Sequence, residues 1–190
     1  MKLLSSVLFL LIVSPTCKSS TLEDACRSFA AGHPSIGYDY CIKTFRADKA
    51  SAAAADARGL AAVAARIAEA KANATAARVA ALSAMETDAR RRDRLAVCEV
   101  VYSDAVDQLA QAADDLDHHG EGADADDAVT QLSAALDAPG TCEDAFGEAD
   151  DTSPLAAEDA EFKKMATIAL AVAASLMPPS PPTPVAGAKN

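Results

Sequence analysis

The chain has 190 residues, with 28 acidic and 17 basic side chains, and its formal net charge at pH 7 is −11. A surface of this charge repels phosphates, which argues against nucleic acid or anionic lipid as a partner and favours a basic protein. Hydrophobic residues make up 51% of the chain but aromatic residues only 4%, so much of the apolar content is alanine. This composition favours closely packed helices over a core of large side chains.

The first twenty residues have the pattern of a secretory signal peptide. Lys2 precedes an apolar run over residues 3–13 that is too short to span a membrane, and small or polar residues follow it. Cys17 and Ser19 are the small residues that fit a cut after Ser19. We therefore expect residues 1–20 to be a cleaved signal and the protein to be secreted.

Five cysteines become four if Cys17 leaves with the signal. An even number in a secreted chain indicates disulfides, and we expect two among Cys26, Cys41, Cys98 and Cys142. Three pairings are possible, and the sequence alone does not choose among them. Short separation favours the first cysteine with the second and the third with the fourth, with contributions of roughly 3 and 4 kcal/mol from the two loops.

The next residues in chain order predict helices that are separated by helix-breaking residues. Residues 21–48 predict two short helices around Gly32, Pro34 and Gly37. A long alanine-rich helix follows, from a cap at Ser51 to about residue 87. The arginine-rich run over residues 90–94 is interpreted as a solvated turn.

Three further helices complete a predicted bundle, each with an apolar stripe that advances by three or four residues. The stripes are Leu95, Cys98, Tyr102, Ala105, Leu109, Ala112 and Leu116; then Ala125, Val129, Leu132 and Leu136; then Phe162, Met165, Ala169, Val172 and Leu176. The second stripe ends before Pro139, and the last helix begins near Pro154. We expect one all-α domain over residues 21–177 and an extended Pro-rich tail over residues 178–190.

Four segments resemble the plant invertase and pectin methylesterase inhibitor family: YDYCIKTFRADKAS, ADARGLAAVAARIA, CEVVYSDAVDQLAQA and LSAALDAPGTCEDAF. The similarity extends from about Leu22 to Leu176. It implies an N-terminal helical hairpin beside an up-and-down four-helix bundle, with the first cysteine paired to the second and the third to the fourth. Members of the family perform no catalysis, and they inhibit pectin methylesterases or acid invertases by forming a protein complex.

The family resemblance includes features that favour each of the two target enzymes. Invertase inhibition in the family uses a Pro-Lys-Phe segment between two bundle helices, whereas residues 117–127 here read DHHGEGADADD, which favours pectin methylesterase slightly. The spacing of Cys26 and Cys41, with its YDYC ending, is similar to pollen-type members described as invertase inhibitors. Acid invertase therefore stays as the alternative target. A helical-bundle carrier of an apolar ligand is the alternative from another class.

Candidate contact residues flank the predicted second disulfide, on the helix after Cys98 and on either side of Cys142. They are Tyr102, Asp104, Asp107, Thr141 and Asp144. The competing interpretation places Tyr102 in the core, by its stripe position, and lets the acids solvate a helix face. Thr141 is the strongest candidate, since it matches the Thr-Cys pair of the family.

Three minor features complete the sequence. His118 and His119 lie in an acidic loop, and because histidine titrates near pH ~6.5, they are candidates for pH-dependent binding near the acidic cell wall. Asn73 begins an N-glycosylation acceptor. Asp115, Asp117, Gly120 and Asp126 match a calcium loop poorly, and no catalytic constellation or cofactor motif is present, so we expect no enzyme, metal or cofactor. The expected location is the cell wall, with the vacuole as the alternative.

Overall fold

The computed structural model describes residues 18–118 and 124–178. Within these ranges the chain forms seven α-helices and one short 3-10 helix, which confirms the all-α class. In chain order they are α1 (Lys18–Gly32), α2 (Gly37–Ala47), the 3-10 helix (Lys49–Ala52), α3 (Ala57–Met85), α4 (Ala89–Asp117), α5 (Asp124–Leu136), α6 (Ala138–Gly147) and α7 (Ala156–Ala174). Most of the predicted signal and of the predicted tail lies outside the described residues, so both stay predictions.

Helices α1 and α2 form the N-terminal hairpin. The Cys26–Cys41 disulfide joins them, with Cα atoms 5.6 Å apart. Gly37 begins α2 at φ 81°, a left-handed conformation that favours glycine over any residue with a side chain. The hairpin is anchored to the bundle where Tyr40 donates a 2.6 Å hydrogen bond to Glu161 on α7.

Helix α3 begins later than the sequence predicts. Asp56 is its N-cap and accepts a 2.9 Å hydrogen bond from the backbone N–H of Gly59. The predicted cap at Ser51 is wrong, since Ser51 lies in the 3-10 helix and is buried. Alanines dominate the buried surface of α3, and their small side chains let neighbouring helices approach closely: Ala61, Ala62, Ala64, Ala65, Ala68 and Ala72.

Helix α4 follows after only three residues and therefore runs antiparallel to α3. Every residue of its predicted stripe is buried. The interpretation of residues 90–94 as a solvated turn is wrong, because they form the first turns of α4. Asp151, in the connection between α6 and α7, binds both Arg91 and Arg94, the latter at 2.6 Å. These arginines therefore tie the start of α4 to a distant loop.

The third bundle helix, α5, ends before Pro139, and a further helix follows almost at once. A single residue, Asp137, separates α5 from α6, and Pro139 lies in the first turn of α6, where its missing N–H breaks no helical hydrogen bond. The helical path therefore continues to Gly147 and carries Cys142 and the buried Phe146 into the core. The predicted end of this stripe before Pro139 is confirmed, since α5 ends at Leu136.

The bundle closes as a ring. Helix α3 packs against α4 and α7, α4 also packs against α5 and α6, and α5 packs against α7. Together with the short connections, this is the up-and-down four-helix bundle that the sequence implies. On α7, Phe162, Ala169 and Val172 are buried as expected and Met165 is half-buried, while Leu176 is half-buried in the turn that follows the helix. No helix among the described residues is long and apolar enough to cross a membrane.

Candidate partner-binding surface

The second disulfide fixes α4 to α6. Cys98 and Cys142 are bonded with their Cα atoms 4.6 Å apart, and both are fully buried. Both disulfides therefore follow the pairing that short separation favours and that the family resemblance implies. Any residue on the outer surface of α4 near Cys98 is held in a fixed position relative to α6, because a covalent bond joins the two helices beneath it.

An exposed apolar surface lies on α4 close to Cys98 in the sequence. Val97 and Val100 project from α4 with 39% and 59% of their surface exposed, and Val101 and Asp104 continue the same helix side at helical spacing. Val101 and Asp104 also line a shallow groove of about 110 Å³ with Thr141 of α6. We call these five residues the valine face.

The predicted contact residues divide among three places. Asp104 and Thr141 meet across the shallow groove, and the Thr141 hydroxyl donates a 3.2 Å hydrogen bond to the carbonyl of Asp137. Asp107 is exposed on α4 but does not line that groove. Asp144 lies on the other side of α6, in a second groove that faces α7.

The structure contradicts a surface role for Tyr102. Its side chain is fully buried, its ring packs edge-on against Phe162 with centroids 5.4 Å apart, and its hydroxyl donates a hydrogen bond to Asp159. Tyr102 is buried because it belongs to the apolar stripe of α4, and every residue of that stripe faces the core. Burial and the hydrogen bond to Asp159 raise the pKa of the Tyr102 phenol, which stays protonated.

Asp159 is the most unusual carboxyl group of the described residues. It is 3% exposed and lies on the apolar stripe of α7, three residues before Phe162. Burial, followed by the neighbouring carboxyl group of Glu143 on α6, raises the pKa of Asp159 to about 7. It lines the second groove, of about 320 Å³, with Pro139, Gly140, Glu143, Asp144, Ala156, Ala160 and Lys163. We call this the carboxylate groove.

The remaining predicted residues are placed as follows. His118 is exposed at the end of α4, with Nδ1 2.7 Å from the carbonyl oxygen of Asp114, while His119 lies outside the described residues. Asn73 is exposed on α3. Asp117, from the weak calcium pattern, pairs with Arg66, and no cluster of three or more candidate metal ligands occurs within residues 18–118 and 124–178.

Sequence reasoning missed the valines and the buried carboxyl pair. Val97 and Val100 fall outside the apolar stripe of α4. Their exposure could have been predicted from this position, because residues off the buried stripe of a helix face outward. Asp159 sits at a stripe position of α7, and an acid at such a position indicates a buried carboxyl group. Its partner Glu143 lies on another helix, so local sequence carried no signal for the pair.

Comparisons with known proteins agree with this architecture. The family model described as plant invertase/pectin methylesterase inhibitor matches residues 12–172. The chain is 32% identical over 141 residues to a pectinesterase inhibitor of Actinidia deliciosa, covering 74% of this chain and 73% of that protein. It is 27% identical over 164 residues to a Platanus acerifolia protein named "Putative invertase inhibitor", covering 86% and 89%.

The fold also matches a solved structure. A mutant form of a pectin methylesterase inhibitor from Arabidopsis superposes with a TM-score of 0.61 at 22% identity, covering 74% of this chain and 90% of that one. This likeness shows the fold alone, whereas the family model covers most of the chain. On that match, the chain belongs to the plant invertase/pectin methylesterase inhibitor family.

Proposed function

We propose that the protein is a secreted inhibitor that binds a plant carbohydrate-active enzyme through the valine face and blocks access to its active site. The observation that carries the proposal is the exposure of Val97 and Val100 on a helix whose leucines are all buried. Exposed apolar residues bordered by polar ones are typical of protein-binding surfaces. Here Asp104 and Thr141 are the polar border.

Rigidity supports the same function. The Cys98–Cys142 disulfide joins α4 and α6, the two helices that carry the valine face, and the alanines of α3 pack closely behind α4. A surface that is ordered before it meets its partner loses little conformational entropy on binding. A preformed obstruction of this kind suits inhibition, which requires only that the complex be stable and that the cleft be covered.

The chemistry of this surface supports binding rather than catalysis. The Thr141 hydroxyl donates a hydrogen bond to the carbonyl of Asp137, and among the described residues no histidine that could activate it lines the shallow groove. We therefore propose that the protein is not an enzyme. Exposed carboxylates at Asp104 and Asp107 would instead attract a basic partner and accelerate its association at low salt.

Pectin methylesterase is our first target and acid invertase our second. The absence of Pro-Lys-Phe from residues 117–127 supports this order. The named relatives include inhibitors of both kinds, so they support either enzyme. The carrier alternative has less support: a groove of about 450 Å³ lies between α1 and the ends of α3 and α7, outside the four-helix core where a carrier would hold its ligand.

Secretion to the cell wall is part of the proposal. It rests on the predicted signal and on two disulfides, which persist in oxidising compartments.

Titration of the purified mature protein against a pectin methylesterase and an acid invertase tests the target. We expect stoichiometric loss of pectin methylesterase activity. Loss of invertase activity alone would support the alternative target, and full activity of both enzymes at excess inhibitor would refute the proposed function. Displacement of a fluorescent fatty acid from a saturable site would favour the carrier.

A further inference from the structure

The carboxylate groove contains two acidic oxygens that no donor of the protein reaches. Asp159 Oδ2 and Glu143 Oε1 are buried and have no hydrogen-bond partner among the described residues. The other oxygen of Asp159 accepts from Tyr102. Burial beside Glu143 raises the pKa of Asp159, so in the free protein a proton on Asp159 limits the repulsion between the two carboxyl groups.

The charged groups around this pair leave it negatively biased. Tyr102 faces it from α4 as a neutral donor, and Glu143 and Asp144 face it from α6. Glu158 adds negative charge from α7, which its ion pair with Arg78 of α3, at 3.9 Å, partly offsets. The one cation that lines the groove, among the residues described, is the exposed Lys163. Lys163 does not reach the two oxygens, because both remain without a donor.

The walls of the groove fit a long side chain with a charged end. Pro139, Gly140, Ala156 and Ala160 line it, so its sides are small and apolar while its floor carries carboxylates. Arginine and lysine have this shape, with an aliphatic stem and a terminal cation. A guanidinium group presents several N–H donors in one plane, which suits two adjacent carboxyl groups.

We propose that the carboxylate groove is a receptor for a single basic side chain, arginine before lysine, of the inhibited enzyme. Helix α6 lines the carboxylate groove and also carries Thr141 of the valine face. One partner can therefore contact the groove and the valine face together. The inference rests on the proposed function. When the cation enters, the proton of Asp159 leaves to the buffer, so that one positive charge replaces another and the cation binds the Asp159 carboxylate beside Glu143.

Proton release is the distinguishing measurement. Calorimetric titration of the wild-type protein with its target enzyme, in buffers of different ionisation enthalpy at about pH 6, reports the number of protons released. That pH lies below the pKa of Asp159, about 7, so the pair starts protonated. We expect release of about one proton for each complex. Stoichiometric inhibition without proton release would overturn the receptor while leaving the proposed function intact.

Glu143→Gln is the informative variant. The amide that this substitution introduces can donate to the free oxygen of Asp159, so the protein should fold, while the site loses one carboxylate and its need for a cation. We expect this variant to release no proton and to bind the enzyme at least about tenfold more weakly. Glu148→Gln is the matched control, because it removes the same charge from an exposed residue at the end of α6. Equal affinity of the two variants would overturn the proposal.

A second experiment tests the cation site without an enzyme. Methylguanidinium is titrated into the free protein, and the side-chain carboxyl carbons of Asp159 and Glu143 are followed by nuclear magnetic resonance. We expect a saturable shift of both signals and a lower pKa of Asp159, with neither effect in Glu143→Gln. Signals that do not move, or that move equally in the variant, would contradict a cation site, whichever enzyme the protein inhibits.

Discussion

Asp159 should make the protein less stable as the pH rises. Its pKa is about 7 in the folded protein against 3.8 for the free side chain, so folding takes up a proton between those values. The stabilisation is fully present below about pH 4 and is lost as the pH rises through 7. About three pKa units at 1.36 kcal/mol each correspond to a loss on the order of 4 kcal/mol in the free energy of unfolding.

Urea unfolding with the disulfides intact measures this loss, because urea is uncharged and its slope checks two-state behaviour. Asp159→Asn keeps an oxygen to accept from Tyr102 but cannot titrate, so its stability should vary much less between about pH 4 and 8. Asp144→Asn, at an exposed carboxylate of the same groove, is the control and should retain the wild-type dependence. A wild-type free energy of unfolding that stays constant over this range, or an equal fall in Asp159→Asn, would refute the reasoning.

Three further predictions concern other parts of the chain. Replacing both Cys98 and Cys142 with alanine should lower the free energy of unfolding by roughly 4 kcal/mol, measured by denaturant titration; a loss below about 1 kcal/mol would contradict the structural weight given to this bridge. Asn73→Gln should abolish a glycan-dependent shift in electrophoretic mobility after secretion from plant cells, and identical mobility of both proteins would show that the acceptor is unused. Replacing His118 and His119 with glutamine should flatten the pH profile of inhibition between about pH 5 and 7, and an unchanged profile would remove these histidines from the account.

The sequence predicted the helices whose information is local. The stripe from Leu95 to Leu116 predicted the buried side of α4, because an apolar repeat of three and four residues has one stable orientation against a bundle. The same rule supported the competing interpretation that places Tyr102 in the core, and the prediction that made it a contact residue was wrong. Cysteine spacing likewise favoured the observed disulfides, since nearby cysteines pair at low entropic cost.

What the sequence could not predict depends on residues far apart in the chain. Arg91 and Arg94 belong to α4 and bind Asp151, which only the folded bundle brings to them. The cap at Asp56 in place of Ser51 follows from a short 3-10 helix that no periodicity indicates. The candidate site was likewise only partly predictable. Thr141 was identified from its local motif, whereas the groove that it shares with Asp104 forms only when α4 packs against α6.

The most direct test of the central claim compares two charge-introducing variants in one inhibition assay. Val100→Lys places a cation in the middle of the valine face, and Met85→Lys does the same at an apolar residue that is 68% exposed at the end of α3. If the valine face binds the enzyme, the inhibition constant of Val100→Lys should rise at least about tenfold, while that of Met85→Lys stays within about twofold of wild type. Equal inhibition by the two variants would contradict the account.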